Sequence, residues 1–512
     1  MKALLIEITG YDPVAAMVKT LYFSTARMNP FPPTDTDRPN IYYKALVKEV
    51  GPVPRFLYGS GRTYGRSSNE GGYLLIDNSD NSQDYLIDWG FDGRSIKYYR
   101  GTVGQAFNIF VPELSGTLEQ PEFTFSKSQP SQIKFIIRDK WALFNKPIST
   151  ATYAGTNSGS TGNEGTADDL KGKGKPFCIG AAFNVTAVTV NAPGLRFQLH
   201  DGPINDAPAC YIGGVAQTKV TAPPGAAQYS IDTSTGIATL GSSPGGDEVT
   251  FDVQGAKFSG TYVNKCADLV SKIAQTYGGI TVSEVNSTAV TALNALNAAP
   301  VELYYPDAST VTISDALDAL LNSIGAYAFF DKLGVLQMGR LSDPSGMTSI
   351  KTLSERDFAE FEMIQANDED KGVPVFKVTV NHTVNYTKQT KVAGSVSEAR
   401  KTWLGLEKRS ESATDASVKT AHLLSPELSR DTHLTSASDA ATEASRVLAL
   451  RKIRHGFYKA VVDYEANADL YLADCITVLQ PRLLMAAGRK MVITGMIPHS
   501  PEDNQLTLEL WG

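Results

Sequence analysis

Four residues in the segment 73–101 have the spacing of a calcium loop. Asp77, Ser79, Asn81 and Asp88 fall at positions one, three, five and twelve, where oxygen ligands wrap a hard cation. Such a loop turns sharply on a Gly at position six, and here that residue is Ser82. Position twelve is Asp instead of the bidentate Glu, and no helical pattern precedes the segment. The run therefore reads as a solvated connection between strands. Gly241-Ser242-Ser243-Pro244-Gly245 has the form of a nucleophile elbow, whose chemistry draws on the N–H after the serine as an oxyanion donor. Pro244 has no N–H, and no helix follows, so the segment reads as a hairpin turn. Gly59-Ser60-Gly61-Arg62-Thr63-Tyr64-Gly65 has the glycines of a phosphate loop without its Lys-Ser/Thr ending or a following helix, and reads as a surface loop.

The remaining chemistry-bearing residues are scattered. Lys171-Gly172-Lys173-Gly174-Lys175 could meet phosphates or an acidic neighbour, but its Gly-rich setting reads as a solvated linker. The six histidines (His200, His382, His422, His433, His455 and His499) show no metal-pair spacing. Cys178, Cys210, Cys266 and Cys475 lie far apart and are expected as free buried thiols, not a disulfide framework. Four glycosylation triplets begin at Asn184, Asn286, Asn381 and Asn385; without a secretory signal they are expected to be coincidence. No constellation supports an enzyme. The expected catalytic, cofactor-binding and metal sites are none.

The elements that hold these residues are mostly strands. In 73–101, the apolar run at 73–76 is stopped by Asp77-Asn78-Ser79-Asp80-Asn81-Ser82. A second apolar element follows, then an Asp92-Gly93 turn before a strand at 95–99. Strands are also expected at 41–47, 123–126 and 133–137, with a Pro-rich loop at 30–37. Short strands between 177 and 253 turn at Asp201-Gly202, Gly213-Gly214, Pro223-Pro224-Gly225 and Pro244-Gly245-Gly246. The period then becomes helical: Val263, Cys266, Leu269, Val270, Ile273, Ala274 and Tyr277 share a face, and Gly278 follows as a stop. Ser314 is the expected N-cap of a second helix carrying Leu317, Leu320, Leu321 and Ile324, ended by Gly325. A hairpin over 328–338 follows. Strands return at 375–380, 459–464, 475–479, 490–493 and 505–510. A helix over 440–454 interrupts them, its acids Asp439 and Glu443 early and its bases late, as the macrodipole favours.

The chain of 512 residues is too long for one core and predicts three or four domains. Its composition, 42% hydrophobic and 20% charged, is that of a globular protein; the net charge of −7 argues against a dedicated nucleic-acid binder. Met1-Lys2-Ala3-Leu4-Leu5-Ile6 is followed at once by Glu7, too short a run for a signal peptide, and no stretch is long enough for a membrane span. The expected fold is multi-domain and mainly β with a small α+β insert. A barrel or sandwich at 1–150 is followed by an all-β module at 151–258, an α+β unit at 259–347 and a second barrel with one helix at 348–512. Tyr85-Leu86-Ile87-Asp88 and Tyr471-Leu472-Ala473-Asp474 are a short similarity between the two ends.

Several segments together resemble the tail hub proteins of long-tailed bacteriophages. The N-terminal pattern of that family appears here as Asp77-Asn78, Phe91-Asp92-Gly93-Arg94 and Gly101. Gly174-Lys175-Pro176 through Asn184-Val185-Thr186, and Leu195-Arg196-Phe197-Gln198-Leu199-His200-Asp201-Gly202, resemble its second domain. Ala316-Leu317 through Ile324-Gly325-Ala326-Tyr327, with Phe330-Asp331-Lys332-Leu333-Gly334-Val335-Leu336, resemble its third. The helix at 440–454 and the terminal Leu508-Glu509-Leu510-Trp511-Gly512 resemble its closing barrel. The resemblance implies two barrels per subunit, so that a homotrimer presents six to a hexameric tube. It implies a tail-tip or baseplate position in the virion after assembly in the host cytoplasm. The implied partners are a ring of distal tail protein, the tape measure protein and tail-tip or receptor-binding proteins, with DNA passing transiently through the lumen at ejection. The iron–sulfur cluster of some relatives is not carried over, because the four cysteines are ungrouped, and no fused lysozyme-like domain is expected. The alternative is a β-rich adhesin, or a carbohydrate-binding or depolymerising tail protein, using its 22 tyrosines and four tryptophans to stack on sugars.

Overall fold

In this computed structural model the described residues are 1–59, 62–69, 71–126, 129–364, 372–499 and 503–512. The chain is mainly β, with 41% of residues in strands and 18% in helices, arranged as several sheets and two half-barrels. Among the described residues no helix is long and apolar enough to cross a membrane.

The first sheet is built from strands within residues 2–139. In order across the sheet they are Met17–Ser24, Lys2–Asp12, Ser95–Thr102, Val111–Leu118, Gln129–Asp139, Gly72–Asp77 and Val47–Val50, with Glu122–Ser126 paired to Gln129–Asp139. Lys2–Asp12 is apolar on both faces, and the period of two sorts its side chains. Leu4, Ile6 and Ile8 enter the barrel core with Ile76, Ile96 and Phe135, while Leu5 joins a second cluster with Phe31, Tyr43, Phe107 and Phe110. In the segment 73–101 the middle apolar element is the 3-10 turn Asp84–Asp88, with Leu86 buried. The Asp92-Gly93 turn is present, with Gly93 at φ 68°. The strand after it pairs with Lys2–Asp12 and Val111–Leu118, not with Gly72–Asp77. The strand expected at 41–47 reduces to a bridge at Lys44 and the later strand Val47–Val50. Tyr43 is instead a buried anchor whose hydroxyl donates to Glu7 at 2.6 Å.

A ten-stranded second sheet spans 177–305, with its core on Phe197, Tyr229, Phe251 and Tyr304. Its last strand, Glu302–Tyr305, comes after the helix period has begun and pairs with Phe177–Thr186. That pairing explains Gly180: its φ is +65°, and a Cβ there would lie 1.8 Å from the Val301 carbonyl oxygen.

The helical layer holds Cys266–Thr276, Ser287–Leu296 and Ile313–Ser323, with the hairpin Ala326–Phe330 and Leu336–Arg340. The cap of Ile313–Ser323 is Thr312, whose hydroxyl accepts from the Asp315 N–H at 3.1 Å. Ser314, the expected cap, is buried two residues further in and accepts from Trp141 Nε1 at 2.8 Å. A three-stranded sheet of Arg409–Thr414, Lys377–His382 and Glu427–Asp431 packs on the same layer, together with the helix Ala437–Arg451 capped by Ser436. Val378, Val380, Leu428, Ala440 and Ala444 share one core with the three helices above.

The fourth large unit is the sheet Lys351–Ser354, Cys475–Leu479, Arg489–Pro498, Gln505–Trp511, Phe457–Asp463 and Phe358–Ile364. It is closed by Trp511, Leu508 and Leu510 packing with Ile476, Val478 and Ile493. Its remaining strands are from far away in sequence. Arg55–Phe56 pairs antiparallel with Arg489–Pro498, and Ser68–Asn69 pairs with Arg55–Phe56. Between them Gly65–Arg66 adds a parallel strand to Ala326–Phe330. Residues 55–69 thus leave the first sheet, complete two others and return.

Candidate functional site

The sequence motifs with chemical potential are used up in local structure. Asp77 Oδ1 accepts from the Ser79 N–H at 3.1 Å and Asp80 Oδ1 from the Ser82 N–H at 3.0 Å, so both carboxylates shape turns. Lys48 lies 3.2 Å from Asp77. Against the opposing effect of burial, hydrogen bonds from Ser79 and the Lys48 ammonium hold the Asp77 carboxyl below its usual value. Among the described residues no group of three or more His, Cys, Asp or Glu is placed to hold a metal ion. Gly241–Gly245 is a surface turn after the strand Ile237–Leu240. Lys175 is 2.8 Å from Glu164 and sits over the Tyr153 ring, while Lys171 and Lys173 are exposed. All four cysteines are buried and unpaired. Burial pushes the Cys210 thiol up to about 12, so it is held as the neutral thiol. Of the glycine-rich loop 59–65, residues 60 and 61 lie outside the described residues.

What the fold concentrates is contact between distant parts of the chain, and residues 55–69 link two sheets far from them in sequence. The Leu57 N–H donates to the Thr494 carbonyl at 2.8 Å, and the Ser67 N–H to the Ala328 carbonyl at 3.0 Å. Arg62 Nη1 reaches Asp318 at 2.7 Å, and the Arg66 N–H donates to the other oxygen of the same carboxylate at 2.9 Å. Gly65 allows this approach: its φ is +94°, and a Cβ would stand 2.5 Å from Asp318 Oδ1.

Under this loop lies a buried charge cluster. Glu443, with its side chain 1% exposed, accepts from Arg446 at 2.7 and 2.8 Å and from Arg430 at 3.1 Å, with Arg340 at 3.7 Å. Burial alone would raise its carboxyl. The Arg446 hydrogen bonds and the field of Arg446, Arg430 and Arg340 overcome that and hold it below the usual value. Arg430 in turn lies 4.2 Å from the centre of the Tyr64 ring. Gly325 is required here, because a Cβ would meet Arg446 Nη2 at 2.3 Å and Glu443 Oε1 at 2.9 Å. Sequence reasoning placed Glu443 as a dipole-complementing acid and did not single out Arg430. A signal was present: Leu428, Arg430 and Thr432 alternate, so the inward face of Glu427–Asp431 carries an arginine.

A second contact joins the two half-barrels. Arg100 on Ser95–Thr102 donates from Nε and Nη2 to the Glu113 carboxylate at 2.8 and 2.7 Å, with side chains 6% and 7% exposed. The same guanidinium donates to the His499 carbonyl at 3.2 Å and lies 4.1 Å from the Tyr464 ring centre. Lys2 pairs with Glu465 alongside. The seam encloses a cavity of about 290 Å³ bounded by Leu4, Val53 and Leu114 on one side and Ile497 and Pro498 on the other. This arrangement fixes orientation; it places no nucleophile beside a base.

No protein-family model matches the sequence, and no curated protein does. Solved structures do. A tail protein from Neisseria meningitidis MC58 is 11% identical, over 92% of this chain and 93% of its own, at a TM-score of 0.42. The 43 kDa tail protein of prophage MuSo2 from Shewanella oneidensis is 10% identical, over 100% and 98%, at 0.42. An E. coli component of the type VI secretion system is 9% identical, over 91% and 73%, at 0.36. That protein is described as structurally similar to the T4 bacteriophage tail proteins gp27 and gp5. The solved structures to which this chain is similar thus include phage and prophage tail proteins and a secretion-system component.

Proposed function

We propose that the chain is a structural subunit of a phage-type tail, a hub that closes the distal end of the tail tube as a homotrimer. Its work is mechanical, not catalytic. Two barrel sheets in one chain are held in fixed relation, so three copies present six barrels to a six-fold tube. The observation that carries this reading is the placement of the hub-like motifs. Phe91 fills the first core, Gly93 makes the turn after it, and Gly101 gives Phe110 room that a Cβ, at 2.4 Å, would take. Gly325 makes room for the charge cluster, and Leu508, Leu510 and Trp511 close the second core. The motifs serve to set and join barrels, as an assembly protein requires.

In this reading the units are 1–150, 151–258, 259–347 and 348–512, with residues 55–69 of the first stitched into the last two. The subunit meets a ring of distal tail protein on its barrel side. Its lumen holds tape-measure termini before infection and passes DNA afterwards, and it resides in the virion. The net charge of −7 suits a channel that should not retain phosphates. The adhesin alternative loses its best residues, since Trp89, Trp141 and Trp511 are buried and Trp403 is half-buried. Electron microscopy of the intact particle tests the proposal. Three copies around the tail axis at the distal tip are expected, with a matching purified species of about 165 kDa, three times 55.1 kDa. Placement elsewhere in the particle, or in no particle, rejects it.

A further inference from the structure

Three guanidiniums share one carboxylate where residues 62–66 cross the helix Ala437–Arg451. Arg340, Arg430 and Arg446 all meet Glu443, so the four side chains together carry +2, three minus one. The Arg430 and Glu443 side chains are 2% and 1% exposed, and those of Arg340 and Arg446 are 12% and 22% exposed; excess charge held in so largely buried a cluster is costly. The carbonyls of Asn322, Leu341 and Leu296 accept hydrogen bonds from these arginines. A carbonyl dipole satisfies a donor but supplies no full negative charge. Arg430 Nε is buried and, among the described residues, has no hydrogen-bond partner.

Beside these groups lies a cavity of about 20 Å³. Among the described residues its wall includes Arg62, Arg430, Arg446 and Arg451 and no acid, with Val447 as an apolar side and Tyr64 as a lid. A cavity of that size takes one water-sized sphere; a phosphate or sulfate is too large. We infer that this cavity binds a single small monoanion, with chloride the ion of fitting size and charge. Bound there, it touches the guanidiniums of Arg430 and Arg446 and lies against Tyr64. It therefore pins the crossing segment 62–66 to the helix and lowers the excess charge from +2 to +1.

Two measurements on the full chain test this. Crystals grown with bromide in place of chloride should show an anomalous peak next to Arg430 Nε. Thermal unfolding at matched ionic strength should give a higher Tm in sodium chloride than in sodium gluconate. The difference should grow by about 1–2 °C per tenfold rise in chloride above the dissociation constant. Val447→Leu fills the cavity without changing charge, and should remove both the peak and the chloride dependence while the chain stays folded. Arg446→Met removes one excess charge and should reduce the chloride dependence. No bromide peak, equal Tm in the two salts, or a peak that survives Val447→Leu each overturns the inference. A peak without any chloride-dependent Tm marks an adventitious ion only and also overturns it.

Discussion

The two barrel sheets are made from similar materials in different ways. The sheet of residues 2–139 contains all its own strands, and one of its two longest, Lys2–Asp12, is buried on both faces and lies inside the sheet. The sheet of residues 351–512 is completed by Arg55–Phe56, some 440 residues earlier in sequence than its partner Arg489–Pro498. Both rely on buried aliphatic and aromatic cores. The difference lies in how each sheet is completed: one half-barrel is built from local strands, and the other takes strands from a segment of its neighbour. A borrowed strand makes the second barrel conditional on the first, which suits a subunit whose two barrels must hold one mutual orientation.

The sharpest way to break this comparison is to separate the halves. A fragment of residues 1–150 should fold with cooperative thermal unfolding, while 348–512 alone should not, and a peptide of residues 54–69 should restore part of its structure by circular dichroism. Equal behaviour of the two fragments would remove the distinction. Next in size is Glu443→Gln, which leaves three guanidiniums without their counter-charge. A loss of about 3–5 kcal/mol is expected in denaturant melts of the whole chain, with residues 55–69 opening early in hydrogen exchange.

Acid should act on neither barrel first. His200 accepts from the Cys178 N–H at 3.1 Å in the second sheet, and the His433 N–H donates to the Ser323 hydroxyl of the helical layer at 2.9 Å. Burial depresses both to about 4. The unfolded chain takes up protons near pH 6.5 that the folded chain refuses. The stability these groups contribute is therefore full above pH 6.5 and is lost as pH falls from there toward 4, about 3 kcal/mol for each at the limit. Glu302, whose carboxyl burial pushes up, works in the opposite sense and reduces the slope. Hydrogen exchange at pH 5 should show 177–258 losing protection before 2–139. His200→Gln should flatten the acid limb, and an unchanged limb would rule out His200 as its source.

Gly495→Val sharpens the comparison further. A Cβ at Gly495 would stand 2.8 Å from Phe56 Cδ1 and 3.0 Å from Glu509 Cβ. The borrowed strand should be displaced at a cost of about 1–3 kcal/mol, read as faster proteolysis at 55–69 with the first sheet intact. Arg62→Ala should matter least. Its pair with Asp318 is 46% exposed on the arginine side, so about 0.5 kcal/mol is expected in a urea melt. A loss above 2 kcal/mol would mean the crossing segment depends on that single bridge.

Much of the fold was legible because hydrophobic period is a local property. The strand at 475–479 is found at Cys475–Leu479, the helical face of Cys266, Leu269, Val270 and Ile273 is buried as spaced, and Gly325 ends its helix at φ +62°. The errors have one cause. Ser314 is not a cap because Trp141, 173 residues away, engages its hydroxyl, and 41–47 is not a strand because Tyr43 is drawn into an aromatic cluster by Phe31 and Glu7. In each case a distant partner overrode a good local signal. The charge cluster was legible only in fragments, as an inward arginine at 430 and an early acid at 443, since nothing in either segment names the other.

By itself the sequence determined the mainly β character, the order of strand-rich and helix-rich stretches and the glycines at tight turns, because alternation, helical spacing and left-handed φ are set by neighbours in the chain. Tertiary structure alone decided that residues 55–69 belong to two sheets other than the first, that Glu443 is shared by Arg340, Arg430 and Arg446, and that Arg100 and Glu113 lie buried where the two half-barrels meet. The physical reason is that strand pairing and buried charge are settled between groups hundreds of residues apart. Their energy exists only once water has left the space between them.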